Sequence, residues 1–262
     1  MRKEKTWDKL LQIHTIGRDD THADQDHHPY EPTPYCVLER LAGCGLLRKD
    51  DVLLDYGCGK GRVGFFLSYR TKTKTIGIEY DEHIYQGAME NRASTICRVK
   101  PEFVPARAEK FTVPQDVSRC YFFNPFSVEI LHKVMARILE SWYDHPRDIF
   151  LFFYYPSDTF IAYLMTVDEV EFYDEIECDD LFPGYDERER VLIFRLPGFD
   201  QPAHAEDDPG QHRAVEFPAA VPVKGAQADD CPLLSQVRHA EAGCSGGSGR
   251  VCRRNSGGDV TG

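Results

Sequence analysis

The sequence has none of the features of a membrane-spanning, secreted or zinc-binding protein. No apolar run approaches the roughly 18 residues that would span a bilayer, and no secretory signal pattern begins the chain. Its nine cysteines never form the Cys-x-x-Cys spacing of a zinc site. We therefore expect a reduced, cytoplasmic protein with free thiols, no bound metal and no membrane contact.

The sequence also has no excess of positive charge. It carries 31 Lys and Arg against 43 Asp and Glu over 262 residues, which gives a formal net charge of −12. A protein that grips nucleic acid by its phosphates normally presents a basic face, and no basic run is present. This balance favours a protein or a small molecule over nucleic acid as the partner. It leaves the oligomeric state open.

The most informative stretch is a glycine turn between two strand patterns. The apolar residues 52–54 are typical of a buried strand, and Asp-Tyr-Gly-Cys-Gly-Lys-Gly follows at residues 55–61. A helical pattern and a second strand then lead to Glu79. Glycines in such a turn let the backbone approach a ligand closely, and a carboxylate at the next strand end can accept both hydroxyls of a ribose. The pattern indicates a nucleoside-containing cofactor.

The spacing of the turn argues against a dinucleotide. The fingerprint Gly-x-Gly-x-x-Gly needs a glycine at position 62, where this chain has Arg62. Asp55, two residues before the first glycine, would repel a pyrophosphate but suits a cofactor with a sulfonium and an α-amino group. An NAD(P)-dependent oxidoreductase and a non-catalytic cofactor-binding module remain the alternatives.

At these residues the chain resembles the class I S-adenosylmethionine-dependent methyltransferases, with motif I at residues 55–61 and Glu79 as the acid of motif II. The resemblance implies S-adenosyl-L-methionine as cofactor. It also implies an α/β fold, a doubly wound, mostly parallel seven-stranded sheet (the Rossmann-like methyltransferase fold) with an antiparallel C-terminal hairpin. The residues it assigns to cofactor binding here are Asp55, Tyr56, Gly57, Cys58, Gly59, Glu79 and Tyr80. Lys60 and Arg62, next to the turn, are expected to be surface charges.

A second motif follows a later apolar strand. Asn124-Pro125-Phe126 resembles motif IV of amino-group methyltransferases but lacks the second proline of that motif. The resemblance makes these three residues catalytic, with Asn124 orienting an acceptor nitrogen and Phe126 stacking on the acceptor or facing the sulfonium. Methyl transfer is an in-line displacement whose rate comes mostly from orientation. The acceptor, on a protein or a small molecule, stays open, and Tyr154-Tyr155 is a candidate lining of its pocket.

Two weaker sites flank these motifs. The resemblance places Ala108 and Glu109, after the third strand pattern, near the adenine amino group. Residues 30–34 read Tyr-Glu-Pro-Thr-Pro and resemble a segment that folds over the cofactor in some methyltransferases, including protein-lysine enzymes. In that case Tyr30 and Thr33 would contact the methionine end. Thr33 is also the expected N-cap of a helix that continues to Leu46.

The remaining pattern has five β-α repeats and a final hairpin. We expect later strands at residues 102–106, 119–124 and 148–155, the hairpin at 169–178 and 188–196, and helices at 82–98, 127–142 and 158–165. We divide the chain into a polar N-terminal segment (1–29), a methyltransferase domain (30–199) and a disordered tail (200–262), because the last segment is poor in aromatic residues and rich in glycine.

Overall fold

A computed structural model describes residues 2–18 and 30–198 of the chain. The helices are α1 (Arg2–Leu11), α2 (Tyr35–Gly43), α3 (Arg62–Thr71), α4 (Glu82–Ser94), α5 (Val128–Asp144) and α6 (Asp158–Leu164). The strands are β1 (Val52–Tyr56), β2 (Lys74–Glu79), β3 (Glu102–Pro105), β4 (Arg119–Phe122), β5 (Ile149–Tyr154), β6 (Glu171–Glu177) and β7 (Arg190–Leu196). The tail expected at 200–262 lies outside the described residues.

The seven strands form one sheet in the order β3-β2-β1-β4-β5-β7-β6. Strands β1 to β5 pair in parallel, whereas β7 is antiparallel to both β5 and β6. The predicted fold class, a doubly wound and mostly parallel sheet with an antiparallel C-terminal hairpin, is confirmed. The strand order reverses between β1 and β4, and ligands of such sheets bind beyond the carboxyl ends of the strands at this switch point.

The hydrophobic core lies on both faces of the sheet. Strands β1, β4 and β5 are buried along their whole length, as expected for strands covered on both sides. Successive residues alternate between the faces, so Tyr121 belongs to one cluster and Phe122 to the other. No helix in residues 2–18 and 30–198 is both long and apolar enough to cross a membrane.

The start of α2 differs from the prediction. Pro34, not Thr33, holds the N-cap position, and no side-chain capping bond forms there. Thr33 is buried, and its Oγ1 lies 3.0 Å from the hydroxyl of Tyr121 on β4. The capping prediction was wrong because this hydroxyl hydrogen-bonds across the core rather than to the helix. The helix also ends at Gly43, before Leu46.

The described part of the N-terminal segment belongs to the same core. Trp7 and Leu11 of α1, together with Ile13, are buried in the cluster that contains Tyr35 and Phe66. The Trp7 ring packs edge-on against Phe66, with 4.9 Å between the ring centroids. The N-terminal segment is polar on average, but its described residues therefore contribute apolar side chains to the core of the domain.

Candidate functional site

An open cleft of about 980 Å³ lies at the carboxyl ends of β1, β2 and β4. Its position is the switch point of the sheet, where this architecture binds ligands. Twelve of the predicted site residues line it: Tyr30, Thr33, Asp55, Gly57, Cys58, Glu79, Tyr80, Ala108, Glu109, Asn124, Pro125 and Phe126. The fold thus brings together residues that are up to 96 positions apart in the chain.

Two predicted cofactor-binding residues do not line the cleft. The Tyr56 side chain lies in the hydrophobic core, where it is 1% exposed and stacks on Phe122 with 4.8 Å between the ring centroids. Gly59 lies behind the cleft wall, and a Cβ at this position would come within 2.2 Å of the Tyr30 ring. Tyr56 therefore acts as a core residue, and Gly59 makes room for Tyr30.

The glycine turn packs directly against the segment that follows β4. Gly57 has a φ of +72°, in the left-handed region that favours glycine. A Cβ on Gly57 would lie 2.6 Å from the Cβ of Pro125, which is too close for any side chain. The backbone N–H groups of Gly57 and Cys58 both donate to the carbonyl of Ile78 at 3.0 Å. These contacts bind the turn to β2 and to Pro125.

Glu79 closes the cleft at the end of β2 and is held by the backbone. Its Oε2 accepts the N–H of Gly59 and its Oε1 accepts the N–H of Asp81, each at 3.0 Å. Burial raises the pKa of Glu79 above its ordinary value, and these two hydrogen bonds act in the opposite direction. The remaining lone pairs of the carboxylate are available to a ligand in the cleft.

Asp55 is the buried acid on the neighbouring strand. Among the described residues, no donor lies within hydrogen-bonding distance of its Oδ2. Burial, and after it the charge of Glu79, raises the pKa of Asp55 to about 8. A buried polar atom without a partner costs about 1–3 kcal/mol, so this arrangement calls for a donor from outside the chain. An ammonium group would supply both the hydrogen bond and the opposite charge.

Asn124 and Tyr155 follow neighbouring strands, and both have strained backbones. Their φ values are +37° and +50°, a conformation that costs a non-glycine residue about 1–3 kcal/mol and persists only where the surrounding structure holds it. The Asn124 Nδ2 donates to the carbonyl of Tyr155 at 2.5 Å. This bond leaves the amide oxygen of Asn124 as an acceptor beside the cleft.

The flanking sites meet the cleft in different ways. Phe126 is 3% exposed and packs near Phe122 and Phe160, so only part of its ring lines the cleft. Glu109 lies in the 3-10 turn Ala108–Lys110 and accepts a hydrogen bond from Arg107 Nε at 2.9 Å. Within residues 2–18 and 30–198, no group of three or more His, Cys, Asp and Glu could hold a metal ion.

The prediction that Arg62 is a surface charge was wrong. Arg62 is 3% exposed and forms an ion pair with Glu4 of α1. Its Nε donates to Thr15 Oγ1 at 2.7 Å, and a terminal nitrogen donates to the carbonyl of Thr33 at 3.1 Å. The N-terminal residues cover the guanidinium and satisfy its donors, which makes burial of the charge tolerable. Arg62 thereby connects the glycine turn to two segments beside the cleft.

Other cleft residues were absent from the sequence prediction. Phe123 lines the cleft beside Asn124 and packs on Tyr154, with 4.7 Å between the ring centroids. Asp81 caps α4 by accepting the N–H groups of His83 and Ile84. The sequence carried a signal for Asp81, an acid between a strand and a helix, but none that distinguishes Phe123 from the equally apolar Phe122 before it.

No family model matches the chain. A protein-lysine N-methyltransferase of Saccharolobus islandicus (strain REY15A) is 33% identical over 67 residues, which are 25% of this chain and 41% of that protein. The match therefore spans less than half the length of this relative.

Two solved structures resemble this chain in part. An RNA methyltransferase from Salinibacter ruber in complex with S-adenosyl-L-homocysteine has a TM-score of 0.45 and 16% identity, over 68% of this chain and all of that one. The 23S rRNA methyltransferase ErmE has a TM-score of 0.45 and 19% identity, over 65% of this chain and 70% of its own. Because both scores are below 0.5, the fold assignment rests on the strand order and register.

Proposed function

We propose that this chain is an S-adenosylmethionine-dependent methyltransferase that transfers a methyl group to a nitrogen acceptor on a protein or small molecule. The observation that carries the proposal is the cleft in which Asp55, Glu79 and Asn124 meet at the switch point of the sheet. The protein-lysine N-methyltransferase that matches 67 residues of the chain supports a nitrogen acceptor.

The residues of the cleft fit this cofactor. Asp55 Oδ2, which has no donor within the described residues, would accept a hydrogen bond from the α-amino group. Glu79 would accept the ribose hydroxyls, residues 108–109 would lie by the adenine, and Tyr30 and Thr33 would cover the methionine end. When bound, the cofactor supplies an electrophilic methyl group on a positively charged sulfur.

Asn124 is suited to position the acceptor. Its Nδ2 is fixed on the Tyr155 carbonyl, so its Oδ1 is left to accept a hydrogen bond from the acceptor nitrogen. Such a bond directs the nitrogen lone pair, and orientation is the main contribution that a protein makes to this kind of displacement. Pro125 holds the segment against the glycine turn, which keeps Asn124 beside the cofactor cleft.

The alternatives have less support in the cleft. A dinucleotide would place its pyrophosphate near Asp55, and Arg62 takes the position of the third glycine while its charge is engaged by Glu4. A non-catalytic module would keep the cleft but would not require the strained backbone of Asn124.

Calorimetric titration with S-adenosylhomocysteine tests the proposal. We expect Asp55→Asn and Glu79→Gln each to weaken binding at least about tenfold, because hydrogen bonds to charged groups contribute about 1.5–3 kcal/mol. Glu90→Gln, an exposed acid on α4, is the control and should bind as the unchanged protein does. Native-like affinity in both cleft variants would overturn the assignment. A separate experiment identifies the acceptor class. The protein is incubated with radiolabelled cofactor and fractionated cell extract, and the fraction that takes up the label contains the acceptor.

A further inference from the structure

A second cleft, of about 1020 Å³, adjoins the first. The two share Glu31, Phe123 and Asn124, so a group in the second cleft can reach the same amide that borders the cofactor cleft. The other walls come from Arg18 and Pro34, from the end of β5 and from the segment that joins β6 to β7. The second cleft is therefore a route by which a substrate can approach Asn124.

The walls of the second cleft are largely aromatic. Phe123, Tyr154, Tyr155 and Phe182 all line it. The Phe123 and Tyr154 ring centroids lie 4.7 Å apart, and those of Tyr154 and Tyr155 lie 6.2 Å apart. Tyr154 is 2% exposed, and the Arg188 guanidinium lies 4.5 Å from the centroid of the Tyr155 ring, so Phe123, Phe182 and the uncovered part of Tyr155 offer ring surface to a ligand. Aromatic faces attract cations, and they pack equally well against a methylene chain.

Glu189 supplies a negative charge within these aromatic walls. It is partly buried, and its Oε2 accepts a hydrogen bond from the neutral Tyr154 hydroxyl at 2.6 Å. Burial raises the pKa of Glu189 above its ordinary value. No lysine, arginine or histidine of the described residues forms an ion pair with it, whereas Glu31 at the cleft mouth lies 3.8 Å from Arg18. Glu189 therefore has a carboxylate to offer a cationic ligand.

The segment that supplies Phe182 and Glu189 to the second cleft is strongly acidic. Residues 168–190 contain eleven Asp and Glu but only two basic residues, Arg188 and Arg190. Both arginines are paired within this segment, with Asp186 and Glu175. A surface of this sign attracts a basic partner and repels the phosphates of a nucleic acid.

We propose that the second cleft binds the side-chain amine of a lysine in a basic segment of another protein. The aromatic walls take the methylene chain, and Glu189 with the ring faces attracts the ammonium. The role of this lysine as methyl acceptor rests on the function proposed above. Transfer to it requires the ammonium to lose a proton to water. The nitrogen lone pair then forms the new C–N bond, and the electrons of the broken C–S bond stay on sulfur.

The test measures binding to the full chain saturated with S-adenosylhomocysteine. The probe is the peptide acetyl-Gly-Arg-Lys-Arg-Gly-amide, compared with the same peptide carrying norleucine in place of lysine. We expect the lysine peptide to bind at least about fivefold more tightly, the size of a modest cation–π and charge contribution. Glu189→Gln should remove most of that preference. Glu187→Gln, an exposed neighbour outside the cleft lining, should keep it.

Each outcome has a distinct meaning. Failure of the unchanged protein to bind S-adenosylhomocysteine would refute the proposed function itself. Normal cofactor-product binding with equal affinity for the two peptides would refute the lysine cleft alone, and so would an unchanged preference in Glu189→Gln. If a single-stranded RNA pentamer bound more tightly than the lysine peptide, the acceptor would be a nucleic acid and the inference would fall. An unchanged affinity of Glu189→Gln for S-adenosylhomocysteine shows that this variant is folded. Phe182→Ala is a second variant, which tests the aromatic wall separately from the charge.

Discussion

At the scale of single residues, Asp55 has the least ordinary environment in the cleft. It is buried on β1, its Oδ2 has no donor among the described residues, and Glu79 lies close enough to repel it. With a pKa raised to about 8, its carboxyl holds a proton at neutral pH when no ligand is present. A cationic ligand would reverse this by stabilising the carboxylate.

This environment predicts how stability changes with pH. A carboxyl whose pKa is higher in the folded than in the unfolded protein stabilises the folded state. This contribution is complete below the unfolded pKa of about 3.9, and it is lost as the pH rises towards the folded pKa of about 8. Asp55→Asn does not titrate. We therefore expect its unfolding free energy, relative to the unchanged protein, to rise by at least about 1.4 kcal/mol between pH 5 and pH 9. Urea unfolding of the ligand-free proteins measures this.

The control for that measurement is Asp50→Asn, an exposed acid just before β1. The difference in unfolding free energy between Asp50→Asn and the unchanged protein should vary little over the same pH range. If the Asp55→Asn difference were equally flat, the pKa of Asp55 would not be raised in the folded protein.

At the scale of elements, two turns form the site together. The glycine turn after β1 and the segment after β4 meet at Gly57 and Pro125, so neither can shift without the other. On the other side of the glycine turn, Arg62 at the start of α3 is bound to Glu4 of α1 and to the Thr33 carbonyl. Three segments that line the cleft are thus held by direct contacts with one another, and α1 contacts one of them.

Substitution of Gly57 tests the first of these contacts. Gly57→Ala adds a Cβ that would lie 2.6 Å from Pro125, so the segment carrying Asn124 must move. We expect weaker S-adenosylhomocysteine binding in calorimetry and a loss of stability beyond the strain of about 1–2 kcal/mol that the left-handed backbone imposes.

Gly45→Ala is the matched control. Gly45 has a similar φ of +81°, but a Cβ there would meet nothing within 4 Å. Gly45→Ala should therefore lose only the stability that the strained backbone costs, and its affinity for S-adenosylhomocysteine should be unchanged. Equal effects of the two substitutions would mean that contact with Pro125 does not position the site.

At the scale of the whole molecule, the sheet order decides where chemistry can occur. The reversal between β1 and β4 opens the crevice that holds Asp55 and Asn124, and the hairpin β6-β7 adds Glu189 beside it. Residues 168–190, which include Phe182 and Glu189 of the second cleft, carry −9 of the formal net charge of −12. A basic partner should therefore bind more weakly at high salt.

The location of the cleft predicts the effect of shortening the chain. The described residues that line the two clefts lie between Arg18 and Glu189, within the compact unit Met1–Gly210. A chain that ends at Gly210 should bind S-adenosylhomocysteine within about threefold of the affinity of the 262-residue chain, a difference below 1 kcal/mol. Calorimetry on both chains checks this. A larger loss would show that later residues contribute to the site.

Local patterns were enough to predict much of this molecule. The hairpin expected at 169–178 and 188–196 is present as Glu171–Glu177 and Arg190–Leu196, and α5 and β5 match to within two residues. Alternation and helical spacing are properties of neighbouring residues, so the sequence shows them directly. The glycine spacing likewise indicated the turn after β1, because that conformation depends on a few consecutive residues.

Two of the wrong predictions concern residues whose partners are distant in the chain. Thr33 bonds to Tyr121, 88 positions away, and Arg62 pairs with Glu4, 58 positions away. Which acid covers a buried arginine, or which strand receives a hydroxyl, depends on how the helices pack on the sheet.

The sequence by itself determined the strands, most of the helices and the glycine turn, because each follows from short-range spacing and backbone preference, and the resemblance of its motifs to a known family implied the fold class. Only the tertiary structure decided that Tyr56 faces the core, that Arg62 is buried, and that a second cleft with Glu189 meets the first at Asn124. The physical reason is that burial and pairing are set by contacts between segments far apart in the chain.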